Sequence, residues 1–508
     1  MLWLKRVPKK RKRMITFHKN IHIFKILILG CIICTANQSC SNKSSEPDEV
    51  IDVNDTDNDG ILDSLDNCEL LVNSDQKDSD NDGIGDLCDD DDDNDNIADG
   101  DDNCPFLLNP NQDDDDNDGI GNLCDSDYVN PALAIADCEN GFANNFPCND
   151  YDLMAQIPLN IFGAASGNDS WGWTDPTNGK EYALMATNTN VSFVDITDTT
   201  NLVYLGNLPT ATSNSTWRDV KVYNNHAFIV ADNAGSHGMQ VFDLTRLRNV
   251  ASPPEVFTTD AHLTDFGSAH NIVINQASGY AYIVGTSRNG TYAGGPLFIN
   301  IQNPTSPIFE GGFGEGGYSH DAQVVTYNGI DTTYLGHEIL IGSNENEVVI
   351  ADVTDKSSPV KISSISYSNV KYAHQGWFTE DMKYFILGDE LDELQVGNNT
   401  RTVIFDFSDL DAPTFHFDYF GPTAAIDHNG YVKNNKYYFA NYRAGLRILD
   451  ISQIASSTVT EIGFFDSYPE NDGTAFDGAW NVYPYFPSGN IIISDINRGL
   501  LVVRKSDS

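Results

Sequence analysis

The chain has 508 residues, 40% of them hydrophobic, and a formal net charge of -45 at pH 7. It is long enough for a large β-domain with accessory segments, and too acidic for nucleic acid or an anionic lipid surface to be a partner. The charge is uneven: residues 51–127 hold 28 Asp or Glu against Lys77 alone, while residues 1–50 hold 10 Lys or Arg against 3 acids. Divalent cations are the natural counter-ions of such an acidic segment.

The first elements are targeting signals rather than structure. A basic stretch from Lys5 to Lys25 precedes the apolar run Ile26 to Ile33, which is too short to span a bilayer as a mature helix. This predicts an export signal over residues 1–40 and a polar tether over 41–51, with Met14 available as an alternative start. Gln38-Ser39-Cys40-Ser41-Asn42 resembles a bacterial lipoprotein cleavage site, and Ile28-Leu29-Gly30-Cys31 is a competing one. The resemblance implies an outer-membrane or cell-surface lipoprotein whose only membrane attachment is the N-terminal lipid; secretion is the alternative. Six cysteines remain beyond Cys31, Cys34 and Cys40, an even set that fits an oxidising compartment. Near-neighbour pairing, Cys68 with Cys88, Cys104 with Cys124 and Cys138 with Cys148, is the expectation among the fifteen connectivities.

Residues 52–127 repeat a carboxylate spacing suited to Ca²⁺, which takes six to eight oxygens from a loop turned by glycine. The first copy places Asp55, Asp57, Asp59, Asp63 and Asp66 at positions 1, 3, 5, 9 and 12, with Gly60 at 6. The second uses Asp78, Asp80, Asp82, Asp86 and Asp89, and the third Asp91, Asp93, Asp95, Asp99 and Asp102, with Asn96 in the glycine place. The fourth uses Asp114, Asp116, Asp118 and Asp125, with Asn122 where an aspartate is usual. Loop starts fall 23, 13 and 23 residues apart, so the unit is a pair of loops every 36 residues. With Asp66-Asn67-Cys68, Asp102-Asn103-Cys104-Pro105 and Asn109-Pro110-Asn111-Gln112, the segment resembles the thrombospondin type 3 repeat. That resemblance implies a chain wrapped around a row of Ca²⁺ ions and stapled by disulfides, with almost no hydrophobic core.

After a connector over 128–150 that Cys138 and Cys148 brace, residues 151–508 repeat with a period near fifty. The markers are Trp171-Gly172, Arg218-Asp219, His270-Asn271, His320-Asp321, His374-Gln375, His428-Asn429 and Trp480-Asn481. β-Branched and aromatic runs alternate with Gly, Asn, Asp and Pro, which predicts an all-β, seven-bladed β-propeller. An Asp or Asn recurs in the third strand, as in Val194-Asp195-Ile196, Phe242-Asp243-Leu244, Ile299-Asn300-Ile301, Ala351-Asp352-Val353, Phe405-Asp406-Phe407 and Leu449-Asp450-Ile451. Its expected role is to accept turn amides. These runs resemble the LVIVD repeat of secreted bacterial propellers, and the arrangement over about residues 138–504 is similar to the choice-of-anchor B family. Membership implies a surface-exposed protein whose anchor varies, and assigns no activity. The last blade stops at a third strand, Leu500 to Val503, so the strand from Tyr151 to Leu159 should complete it and remove two exposed edges.

Equivalent residues of successive blades converge on a propeller axis, so His270, His320, His374 and His428 should form a ring suited to Zn²⁺, Cu²⁺ or Fe²⁺. Asp219, Asp321, Gln375 and Asn429 follow directly and are candidates to orient the imidazoles. The acidic turn Asp389-Glu390-Leu391-Asp392-Glu393 reads as solvated, with carboxylates enough for a further cation. No nucleophile elbow, phosphate loop or His-Glu-x-x-His motif is present, and no catalytic residue is assigned. Two classes of function stay open: a ligand-binding module for a surface protein or glycan on a stiff calcium-loaded stalk, or a metalloenzyme acting on a small polar substrate.

Overall fold

The computed structural model describes residues 54–506, apart from positions 81, 96, 108, 111, 113, 115–118, 122–123 and 125–134. The export signal, Cys31, Cys34, Cys40, the tether and the fourth-loop residues Asp116, Asp118, Asn122 and Asp125 lie outside the described residues, as does Asn96. The described residues divide into two compact units between the second and third acidic loops, at Asp89 and Asp90. No described helix is long and apolar enough to cross a membrane.

The repeat region is a seven-bladed β-propeller. Blade one consists of Gly167–Thr174, Glu181–Thr187, Asn190–Asp195 and Val203–Pro209, and blades two to six repeat this antiparallel order. Their inner strands are Arg218–Tyr223, Asn271–Asn275, Asp321–Thr326, Ala373–Phe378 and Gly430–Lys433; that of blade seven is Ala479–Tyr483. Each packs against the next, and the seventh packs against the first. The expected closure is present: Tyr151–Ile157 pairs antiparallel with Gly499–Lys505 as the outermost strand of blade seven. Its register skips one residue at Met154, and the outer strands of blades one, three, four, five and six skip one at the corresponding place. Such bulges add twist to the outer strand.

The reason for the fold lies in burial. Second strands such as Glu181–Thr187, Glu338–Ser343 and Tyr384–Asp389 are buried at every position, because each sheet is covered by a neighbour on both faces. Between blades three and four the packing is Val273, Tyr282, Val284 and Phe298 against Ala322, Val324, Leu340 and Val349. All six third-strand Asp or Asn residues accept the amide two residues on, from Asp195 with Thr197 at 3.0 Å to Asp450 with Ser452 at 2.8 Å. They turn the chain at the end of the third strand.

All three expected disulfides form. The hairpin Phe142–Ala143 and Phe146–Asn149 adds to the edge of blade six through Cys148 opposite Phe465. Ala136 bridges Leu153 of blade seven, and the Cys138 amide donates to Asp152 at 2.7 Å. Cys138–Cys148 therefore stitches blade six to blade seven. Replacing both cysteines with serine is expected to cost about 2–3 kcal/mol in urea unfolding, as for a short closed loop. A chain starting at residue 158 is expected to lose cooperative unfolding altogether.

Candidate calcium and channel sites

The acidic loops are built by aspartates bonding their own backbone. Gly60, Gly83 and Gly119 each donate their amide to the first carboxylate of their loop, Asp55 at 3.2 Å, Asp78 at 3.2 Å and Asp114 at 3.1 Å. Each glycine has a φ between +93° and +100°, a conformation that disfavours any side chain. The turn brings Asp55, Asp57 and Asp59 together, and likewise Asp78, Asp80 and Asp82, and Asp91, Asp93 and Asp95, with ligand oxygens within 4.8 Å of one another. Buried oxygens of Asp55, Asp57 and Asp93 have no donor facing them. Burial and neighbouring carboxylates hold the Asp93 carboxyl above its usual range. A cation relieves both costs.

The ninth and twelfth positions are placed differently. Asp63 accepts the Thr56 amide at 2.7 Å and hydroxyl at 2.8 Å. Asp86 receives Ser79 in the same way at 2.7 and 2.9 Å, and Asp99 accepts the Asp92 amide at 2.9 Å. Asp66 and Asp102 accept Cys68 N and Cys104 N at 2.9 and 2.7 Å, and the amides of Gln76 and Gln112 at 2.8 and 2.7 Å. The two halves of the segment thus repeat bond for bond.

In the propeller the ring of histidines forms. Ring centroids of His270 and His320, His320 and His374, and His374 and His428 are 4.3, 4.6 and 4.3 Å apart. Blade one differs from the sequence expectation: Gly167 pairs with Thr187 as Ala373 pairs with Asp389 and Ala479 with Asp495. Asn168, not Trp171, is therefore the equivalent of the histidines. A bulge between Gly167 and Ser170 displaces the tryptophan, which instead packs on Tyr431 and Tyr483. Arg218 is held by His237 Nε2 at 3.1 Å and the Thr187 carbonyl at 3.1 Å.

Three imidazoles are oriented through Nδ1. His428 donates to the Trp480 carbonyl at 2.5 Å, His270 faces Asp232 Oδ2 at 3.2 Å, and His320 faces the Tyr372 hydroxyl at 2.9 Å. His320 Nε2 and His374 Nδ1 are buried with no hydrogen-bond partner. Burial and the neighbouring imidazoles hold His320 and His374 well below the usual histidine range, and burial brings His428 down to about 3. All three are neutral at pH 7, the form that ligates a metal.

Glu390 joins them from the blade-five turn. Its oxygens lie 3.7 Å from His374 Nε2 and 3.6 Å from His428 Nε2, and it accepts the Tyr442 hydroxyl at 2.9 Å. Burial pushes its carboxyl up to about 7. His320, His374 and Glu390 offer ligand atoms within 4.8 Å of one another. The residues expected to orient the imidazoles do other work, because successive residues of a strand point to opposite faces. Asp219 accepts Ile272 N at 2.8 Å and pairs with Lys221; Gln375 accepts Gly430 N at 3.0 Å; Asp321 accepts Ala322 N at 2.6 Å. Asn429 receives nothing on Oδ1.

The acidic turn is not solvated. Asp389 is buried and accepts Tyr367 Oη at 2.8 Å and the amides of Lys371 and Tyr372 at 2.7 Å. Asp392 pairs with Arg401 at 3.2 Å. Glu393, 2% exposed, accepts Arg401 N at 2.9 Å on one oxygen and has no partner on the other. Burial, then the charge of Asp392, raises its carboxyl to about 9.

Residues 52–76 and 77–112 match the family model of the thrombospondin type 3 repeat. These segments are thrombospondin type 3 repeats. They make this a calcium-binding chain, and together with the disulfides they fit an extracellular protein. No match among curated proteins is found. Among solved structures the chain is similar to the Cps50 (Swd1) β-propeller domain of Myceliophteria thermophila, at 8% identity and TM-score 0.44, covering 71% of this chain and 100% of that one. It is also similar to a protein from Lactobacillus plantarum, at 13% identity and TM-score 0.42, covering 65% and 89%. Both scores lie below 0.5, and the fold assignment rests on the seven sheets themselves.

Chelation is expected to open residues 54–107 to protease while the propeller stays intact, and unchanged digestion with and without calcium would count against ordered ion sites. Glu393 gives a pH signature. Its folded pKa is raised, so the folded state holds a proton that the unfolded state releases, and stability declines as pH rises from the unfolded value toward 9. Between pH 7 and 10 the melting temperature should fall more steeply for the natural protein than for Glu393→Gln.

Proposed function

We propose that the protein is a lipid-anchored surface protein of the choice-of-anchor B type. Its calcium-loaded stalk presents a ligand-binding propeller, and within the ring of His270, His320, His374 and His428 a transition metal is held by His320, His374 and Glu390. The third-strand Asp residues and the cysteine-braced connector support the family reading, and Cys40, with Cys31 as the competitor, is the proposed lipidated residue. One observation carries the metal: two buried imidazole nitrogens lack a partner beside a half-buried carboxylate. Two imidazoles and a carboxylate suit Zn²⁺ or another first-row ion. The ion would polarise a bound ligand; His320, His374 and Glu390 would hold it, with His428 and His270 flanking.

A metalloenzyme acting on a small polar substrate is the second reading, favoured by this same donor set because three protein ligands leave a coordination position open. Protein purified without added metal should carry about one transition-metal ion per chain. His320→Ala and His374→Ala should each lower that occupancy at least tenfold, and His226→Ala, which lies off the ring, should not. Protein that holds no transition metal and takes none up at neutral pH overturns the assignment and removes the support for the enzyme reading.

A further inference from the structure

A cavity of about 660 Å³ opens between the loops of blades two and three and the segment leading into blade four. This lies within the range of roughly 300–1,000 Å³ usual for small-molecule sites. Gly267 and Gly285 in its wall sit in close backbone packing: a Cβ on Gly267 would come within 2.8 Å of the Gly235 carbonyl, and one on Gly285 within 2.2 Å of His270 Cβ. Half-buried rings of Phe266, Tyr292 and Phe309 form its apolar surface, while Arg288 lies over the ring of Tyr318. Asp232, Asp265, Thr286, Ser287 and Thr291 form the polar one.

Charge narrows the ligand. Arg288 is the cation among the lining residues, and its guanidinium is committed: Nη1 and Nη2 bond Glu345 at 3.1 and 2.6 Å, and the group lies 3.5 Å over the Tyr318 ring. Asp232 and Asp265 leave the wall net negative, so phosphates, sulfates and uronates are repelled. Carboxylates and hydroxyls along the rim disfavour a purely apolar ligand, whose burial would strip them of water. A molecule with apolar C–H faces and hydroxyl edges satisfies both surfaces, by stacking on aromatic rings and donating to carboxylates.

We infer that this cavity is a binding site for a neutral oligosaccharide. The inference rests on the binding-module reading above and not on the metal, although Asp232 forms part of the cavity wall and also faces His270 at 3.2 Å. The test uses the full mature chain with calcium, on an array of neutral plant and microbial oligosaccharides beside uronate-bearing and sulfated ones. Calorimetry then follows with the neutral oligosaccharide that binds tightest.

Neutral glycans are expected to bind, with affinity falling at least tenfold in Tyr292→Ala, which removes a stacking ring. The same loss is expected in Thr291→Trp, which fills the exposed rim without touching the core. Because Tyr292→Ala could disturb its neighbours, Thr291→Trp with an unchanged melting temperature is the deciding variant. Neutral-glycan binding that Thr291→Trp leaves intact overturns the cavity as the site while the binding-module reading survives. Binding confined to anionic glycans, or to none, overturns the ligand class.

Discussion

Seven sheets converge on one axis, and the polar side chains they bring there are largely buried and need partners. Each inner strand meets this demand by bonding the next. Lys221 reaches Asp169 at 3.3 Å, Asp219 takes Ile272 N, Asn275 donates to Thr326 at 3.1 Å, and Gln323 takes Phe378 N at 2.8 Å. Gln375 takes Gly430 N, Tyr431 donates to Asn481 at 2.9 Å, and Asn481 donates to the Ser170 carbonyl at 2.7 Å. The belt crosses every junction between blades. With inner-strand polar groups used in this way, the histidines face a different environment: His270 and His320 take partners from outside the inner strands, and His428 takes the Trp480 carbonyl.

That division explains what could be read from the sequence. Features that repeat once per blade were visible: the period, the third-strand Asp, the four histidines and the strand that closes the ring. Features supplied once were not. Glu390 sits in a turn without periodicity, and its neighbours Asp389 and Asp392 look like a hydrophilic run until Tyr367 and Arg401 fold over them. Trp171 misled because a bulge shifts blade one by three residues, and the true equivalent, Asn168, is chemically unlike a histidine. Tyr372 and Asp232, which orient imidazoles, also come from outside the inner strands.

The two parts of the chain are ordered by different physics. In the described acidic loops Leu65 and Leu70 are 75% and 73% exposed, and the buried apolar side chains are the half-cystines Cys68 and Cys104. Apolar burial therefore supplies little, and carboxylate–cation contact with two disulfides must supply the rest. Gly85 and Gly121 show how tight this packing is, since a Cβ there would lie 2.8 and 2.6 Å from a disulfide sulfur. The propeller needs no ion for its core, because its sheets cover one another.

Blade seven joins residues some 355 positions apart, as the Lys505–Asp150 ion pair marks. Its outermost strand lies far in sequence from its other three, and the entropy of closing so long a loop falls on a single sheet. Blades one to six can assemble as a growing arc while the Tyr151 strand waits without its partner. Ring formation then waits on the strand Gly499–Lys505, and a chain lacking it would be an open arc with two unpaired edges rather than a slightly smaller propeller.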